Sequence, residues 1–155
     1  MFASLAVALL AVGLSIGCWL RPPPSTKASP PPPAPHYTAQ QTADAKAAIC
    51  AAFANVDHAL ALAYARTGGG DPAAQLTVAT STQLTLDAGS RYLSTTLAEE
   101  PATPPDLAAA ILKQTNAYQK ALIGFLDGLP VSDPAQKPTV SASDEATTTI
   151  RGLCK

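Results

Sequence analysis

The chain has 155 residues, 47% of them hydrophobic but only 5% aromatic, so alanine and leucine supply most of the apolar side chains. Both residues favour helix, and alanine buries little area, which predicts a helical protein with a thin core. The net charge is −1, and residues 36–155 alone carry eight Lys/Arg against eleven Asp/Glu, which gives −3. This weakly acidic balance, without clustered cations, argues against nucleic acid as a partner.

An uncharged apolar segment opens the chain. Residues 2–20 contain nineteen residues and no charge, close to the roughly 20 that a transmembrane helix needs. Trp19 lies near the end of the segment and Arg21 follows it, an arrangement typical of a membrane interface. We therefore predict a transmembrane anchor over residues 1–21.

Two other interpretations of the segment stay open. Residues 15–18 resemble a lipobox, which would make Cys18 a lipidation site, although Ser15 stands where an aliphatic residue is expected. Alternatively, Ser15 and Gly17 are the small residues before a signal-peptide cleavage site.

The orientation of the anchor depends on two opposing signals. The nearest cations, Arg21 and Lys27, both follow the segment, and the positive-inside rule would keep that side in the cytoplasm. A proline-rich spacer and two distant cysteines instead suit an exported domain. We expect the domain to lie outside the cell membrane, with a cytoplasmic extension upstream of Met1.

A proline-rich linker is predicted over residues 22–36. Eight of the fourteen residues from Pro22 to Pro35 are proline, which removes amide donors and leaves polyproline II as the accessible conformation. At about 3.1 Å per residue the segment would extend for roughly 43 Å.

The remaining cysteines, Cys50 and Cys154, lie near the two ends of the domain at residues 37–155. In an oxidising compartment they are expected to form a disulfide, and two buried unpaired thiols are the alternative. A disulfide that closes this loop of about a hundred residues would stabilise the fold by on the order of 4 to 5 kcal/mol. The Cα atoms of the two cysteines should then lie ~5.5 Å apart.

Four helices follow from the periodicity and the end signals of the domain. The first begins after a Thr38–Gln41 capping box, presents Ile49, Phe53, Val56, Leu60 and Tyr64 on one face, and ends at Gly68–Gly70. The second begins with Asp71 and Pro72 and ends near Glu99.

The third helix is predicted to begin after Thr103 and to include Leu129 on its apolar face; the fourth should run from Ser141 or Ser143 to Cys154. Short connections make consecutive helices antiparallel. The predicted fold class is therefore all-α, an up-down four-helix bundle preceded by the transmembrane helix and the proline-rich linker.

Residues suited to chemistry are few. His58 follows Asp57 directly, but adjacent helical positions point about 100° apart, so the two are not expected to face each other. Tyr64, Tyr92 and Tyr118 lie on apolar faces and are expected in the core with their hydroxyls at the rim, or in one shared cleft. We predict no enzyme activity, no catalytic residues, no metal site and no cofactor.

The segment from Trp19 through the proline block to residues 37–41 and Cys50 resembles a family of alanine- and proline-rich single-pass membrane proteins of mycobacteria. The resemblance continues to the closing Leu153, Cys154 and Lys155. It implies a membrane protein of the cell envelope with no assigned activity. We expect a structural or protein-protein interaction role with an envelope partner; a lipid- or small-ligand-binding protein is the alternative.

Overall fold

The computed structural model describes residues 36–66 and 68–155, which contain four α-helices and no strands. The helices are α1 (Ala39–Ala65), α2 (Pro72–Glu99), α3 (Pro105–Leu126) and α4 (Lys137–Leu153). The predicted four-helix bundle is confirmed. The predicted anchor, Cys18 and the linker up to Pro35 lie outside the described residues.

The first two helices begin as their end signals predict. The Thr38 hydroxyl accepts a hydrogen bond from the amide of Gln41 at 3.2 Å, and the Gln41 side chain accepts one from the amide of Thr38 at 2.8 Å. The Asp71 carboxylate accepts from the amide of Ala73 at 3.1 Å, with Pro72 at the first helical position. These caps satisfy amides that have no partner within the helix.

The predicted cap of α3 and the predicted start of α4 are wrong. Thr103 donates its hydroxyl to the carbonyl of Glu100 at 2.7 Å and does not cap α3, whose N-cap is Pro104. Helix α4 begins at Lys137, one turn before Ser141. Pro138 lies within its first turn, where the missing amide would have had no helical partner, so the proline starts the helix and does not interrupt it.

A glycine cap ends α3 and places Leu129 outside the helix, contrary to the prediction. Gly128 has φ 79°, and the amides of Leu129 and Gly128 donate to the carbonyls of Gly124 and Phe125 at 2.9 and 3.1 Å. This pair of bonds is a Schellman motif, which requires a residue that tolerates positive φ.

Consecutive helices pack against each other, α1 on α2, α2 on α3 and α3 on α4. The core consists of side chains from all four helices, among them Ile49, Phe53, Leu86, Leu93, Leu107, Ile111 and Ile150. Gly89 of α2 faces Val56 of α1 so closely that a Cβ atom there would lie 2.7 Å from a Val56 methyl group. A small residue is therefore what lets these two helices approach.

Cys50 and Cys154 form a disulfide between α1 and the end of α4, and their Cα atoms lie 5.7 Å apart, as the sequence predicts. A helix of about a dozen residues, as predicted for α4, would be too short to reach from the loop end of the bundle to Cys50, and the preceding loop would have had to cover the rest. With 17 residues, α4 is about 26 Å long at 1.5 Å per residue. The helix alone therefore reaches from the loop end of the bundle down to Cys50.

One helix among the described residues, α1, is long and apolar enough to cross a membrane by length and composition. The same helix supplies Ile49, Phe53, Val56 and Leu60 to the core of the bundle. A buried core helix passes the same test of length and apolar content.

Candidate ligand-binding cleft

A cleft of about 410 Å³ lies between α1, α3 and α4. Its apolar wall is contributed by Leu60, Leu86, Ala117, Ala121, Phe125 and Val140. Its volume lies within the range of about 300 to 1,000 Å³ typical of small-molecule sites.

The covalent and ionic links between α1 and α4 lie at one end of the cleft. In addition to the Cys50–Cys154 disulfide, the Arg151 guanidinium donates a hydrogen bond to the Asp57 carboxylate at 2.6 Å. Asp57 and Arg151 both line the cleft. Asp57 follows Cys50 by seven residues, which is two helical turns and keeps both on the face of α1 that meets α4. The end of α4 is therefore fixed to α1 where the cleft begins.

Tyr118 of α3 supplies a buried phenol to the wall of the cleft and is only 5% exposed. Burial is the largest cause that raises the pKa of Tyr118 to about 12; the nearby Asp57 carboxylate also raises it, and a hydrogen bond with Gln114 partly lowers it. The phenol therefore stays protonated at neutral pH and is available to the cleft as a neutral hydroxyl group and not as a base.

Buried hydrogen bonds hold α4 against α3 beside the cleft. The Gln114 amide is fully buried; its nitrogen donates to the Ser143 hydroxyl at 2.8 Å and its oxygen accepts from the Thr147 hydroxyl at 3.1 Å. Ser143 and Thr147 also line the cleft. The polar residue that interrupts the apolar face of α3 therefore orients the hydroxyl groups of α4.

Tyr64, Asp144 and Gln136 line the part of the cleft nearer the loop before α4. Tyr64 is 56% exposed, so its predicted place in the core is wrong. Partial burial raises the pKa of Tyr64, and the Asp144 carboxylate raises it further. Gln136, nearly fully buried, donates to the carbonyl of Ala121 at 3.4 Å.

The cleft brings together some of the residues that the sequence singled out and leaves others apart. Tyr64, Tyr118 and Asp57 share it, whereas Tyr92 is half-exposed in a separate groove between α1 and α2. His58 is exposed and does not line the cleft, in agreement with the expected divergence from Asp57. Within residues 36–66 and 68–155, no group of three or more His, Cys, Asp or Glu could hold a metal ion.

Sequence reasoning missed Arg151 and Gln136 as residues of the cleft. A signal for Arg151 was present, because α1 and α4 are antiparallel in an up-down bundle. The Cys50–Cys154 pair fixes their register and brings Arg151, about one turn before Cys154, near the residues that follow Cys50. Gln136 lies in the loop before α4, and no periodicity of the sequence points to it.

No family model, curated protein or solved structure matches this chain. The resemblance to the mycobacterial envelope family therefore stays a prediction.

Proposed function

We propose that residues 37–155 form a small-ligand-binding domain, held outside the cell membrane by the predicted anchor. The observation that supports this is the cleft itself, in which an apolar wall faces a few polar groups, as in known small-molecule sites. The polar groups include the phenols of Tyr64 and Tyr118 and the hydroxyls of Ser143 and Thr147.

The chemistry of the polar groups favours binding over catalysis. The pKa of Tyr118 is raised to about 12, which makes its phenolate a minor species at neutral pH. The Asp57 carboxylate is hydrogen-bonded to Arg151, and a general base must reach the proton that it removes. We therefore propose no enzyme activity for the cleft.

The disulfide supports the proposed location, because such bonds persist on the oxidising side of the membrane.

The experiment is an NMR titration of the full-length chain with 2-phenylethanol, a soluble neutral compound with an aromatic ring. Binding should shift the amide signals of Ala61, Ala117, Ala121 and Val140, which line the cleft. Ala61→Phe should weaken binding about fivefold or more by filling the space that the ring needs. Ala51→Phe is the matched control, because Ala51 is also an exposed alanine of α1 and does not line the cleft. Equal affinities of the two variants would contradict the proposal.

Protein-protein interaction is the second candidate function, and a groove between α1 and α2 favours it. Ala59, Ala88 and Gly89 form part of the groove, and Leu84 and Tyr92 flank it at 64% and 48% exposure. Small residues between large exposed apolar ones suit an apolar helix of a partner.

A photo-crosslinking residue at position 84 tests this second candidate in intact cells. It should capture one envelope protein, and Leu84→Asp should abolish co-purification of that protein. Leu112→Asp is the matched control, because Leu112 is a similarly exposed leucine on α3 outside the groove. Loss of the captured protein with both variants, or with neither, would contradict a role of the groove.

A further inference from the structure

The charges that line the cleft are unequal. Two carboxylates, Asp57 and Asp144, line it together with a single cation, Arg151. Arg151 is engaged by Asp57 at 2.6 Å. Among the residues that the structure describes, the ion pairs are Asp87–Arg91, Lys113–Glu145 and Asp57–Arg151, and none includes Asp144. A charged ligand therefore meets one negative charge that these ion pairs leave uncompensated.

Aromatic rings lie in the same cleft as this carboxylate. Tyr64, Tyr118 and Phe125 all line it. The Asp144 carboxylate is close enough to Tyr64 to disfavour the phenolate and raise the pKa of Tyr64. The face of an aromatic ring is negative, so a cation bound over a tyrosine gains from the ring and from a nearby carboxylate together.

One wall of the cleft is apolar and suits the uncharged part of such a ligand. Leu60, Ala121 and Phe125 contribute to this wall. Tyr64, Phe125 and Val131 also line a neighbouring pocket beside the α3–α4 loop. The three residues shared by the two cavities extend the apolar surface beyond Asp144, toward the end of the bundle.

From this geometry we propose that the ligand is an organic cation, an ammonium group attached to an apolar body. The ammonium group lies between the Asp144 carboxylate and the ring of Tyr64, and the apolar body lies against Leu60, Ala121 and Phe125. This inference rests on the proposed ligand-binding function and adds the chemical class of the ligand.

An anionic ligand is disfavoured by the same residues. The cation that lines the cleft, Arg151, is already bonded to Asp57, so an anion at Arg151 would lie beside the Asp57 carboxylate and near Asp144. Both carboxylates repel an anion, whereas a cation beside Asp144 gains from a carboxylate that is outside these ion pairs.

The test compares three compounds that share a phenyl ring and differ in charge: 2-phenylethylammonium, 2-phenylethanol and 3-phenylpropanoate. Titrated into the full-length chain, the cation should bind about tenfold more tightly than the alcohol, and the anion should bind most weakly. Asp144→Asn should bring the affinity of the cation within about threefold of that of the alcohol, because the ring contribution alone remains.

Asp106→Asn is the matched control. It removes a carboxylate from the first turn of α3, which does not line the cleft, and should leave the preference for the cation unchanged. Asp144 is exposed on α4, so Asp144→Asn should unfold at the wild-type temperature, and a thermal melt of each variant verifies that.

The outcomes separate this inference from the function on which it rests. If the alcohol binds and Ala61→Phe weakens it, but the cation binds no more tightly than the alcohol, the ligand class is wrong and the ligand-binding function stands. The same conclusion follows if Asp144→Asn leaves the preference for the cation intact. If none of the three compounds binds in the cleft, both proposals are overturned.

Discussion

Tyr118 shows how the environment of a single residue defines what the cleft offers. Its side chain is almost entirely buried, and burial is the largest cause of its pKa of about 12. The same burial that keeps the hydroxyl neutral for a ligand also makes the folded state sensitive to alkaline pH.

We predict that Tyr118→Phe removes part of the alkaline sensitivity of the fold. The pKa of Tyr118 rises from 10.0 to about 12 on folding, so the folded state holds the proton more tightly. Below about pH 10 the phenol is protonated in both the folded and the unfolded state, so the difference in pKa adds nothing to the pH dependence. Between about pH 10 and 12 the unfolded state loses the proton first, and the free energy of unfolding falls by on the order of 1 to 3 kcal/mol as pH rises. Urea unfolding at a series of pH values should show this additional loss in the wild type and not in Tyr118→Phe. A loss of the same size in both proteins would contradict the prediction.

Individual residues of the cleft were only partly predictable from sequence. Asp57 and Tyr118 were recognised as chemically capable groups, but their partners come from distant segments. Gln114 is a polar residue on the buried face of α3, and its pairing with Ser143 and Thr147 depends on the rotation of α4. Periodicity gives the face of a helix and does not give the neighbour across the interface.

At the scale of elements, end signals located helices well where a side chain makes the cap. Thr38 and Asp71 cap α1 and α2 through their own oxygen atoms. The start of α4 has no side-chain cap, and the prolines around it are as typical of a loop as of the first turn of a helix. Gly128 was not recognised as the end of α3 because the apolar spacing continues past it to Leu129, although glycine is a common helix end signal.

Gly89 controls how closely α1 and α2 pack, and we predict that Gly89→Ala destabilises the bundle. The new Cβ atom would meet a Val56 methyl group at 2.7 Å, and a β-branched side chain has little freedom to move away. Overpacking costs about 1 to 3 kcal/mol, which outweighs the gain of about 1 kcal/mol in helix propensity.

Gly152→Ala is the matched control, because Gly152 is also helical and a Cβ atom there meets nothing within 4 Å. It should stabilise the protein by up to about 1 kcal/mol. Adding Val56→Ala to Gly89→Ala should cost less than the sum of the two single changes, since the methyl group in the way is gone. If the losses of unfolding free energy of Gly89→Ala and Val56→Ala, measured by chemical denaturation, add up in the double variant, the two residues do not contact each other.

At the scale of the whole molecule, the association of α4 with α1 rests on few contacts. Consecutive helices share extensive interfaces, but α1 and α4 approach around a cleft and are joined by the disulfide and the Asp57–Arg151 pair. The Arg151 and Asp57 side chains are 61% and 34% exposed, and such ion pairs contribute about 0 to 1 kcal/mol. The disulfide is therefore the dominant link.

We predict that Cys50→Ser combined with Cys154→Ser lowers the free energy of unfolding by about 2 to 5 kcal/mol, because a crosslink between residues 104 apart in sequence constrains the unfolded chain strongly. For a domain with a total stability of about 5 to 15 kcal/mol, that loss is a large fraction. Urea unfolding of the full-length chain measures it, and Asp57→Asn, which breaks the weaker link, should cost no more than about 1 kcal/mol.

The same disulfide ties stability to the proposed location and to the cleft. A chain folded on the oxidising side of the membrane should show no reactive thiol at Cys50 or Cys154 when cells are lysed in a thiol-blocking reagent, and two more thiols per chain after reduction. Because reduction removes the dominant link between α1 and α4, the reduced protein should also bind 2-phenylethanol more weakly. Mass spectrometry of the alkylated chain measures the thiols. If both cysteines are already alkylated before reduction, the disulfide is not formed in the cell. The link that fixes α4 to α1 at the end of the cleft would then be missing, and ligand binding as proposed depends on that link.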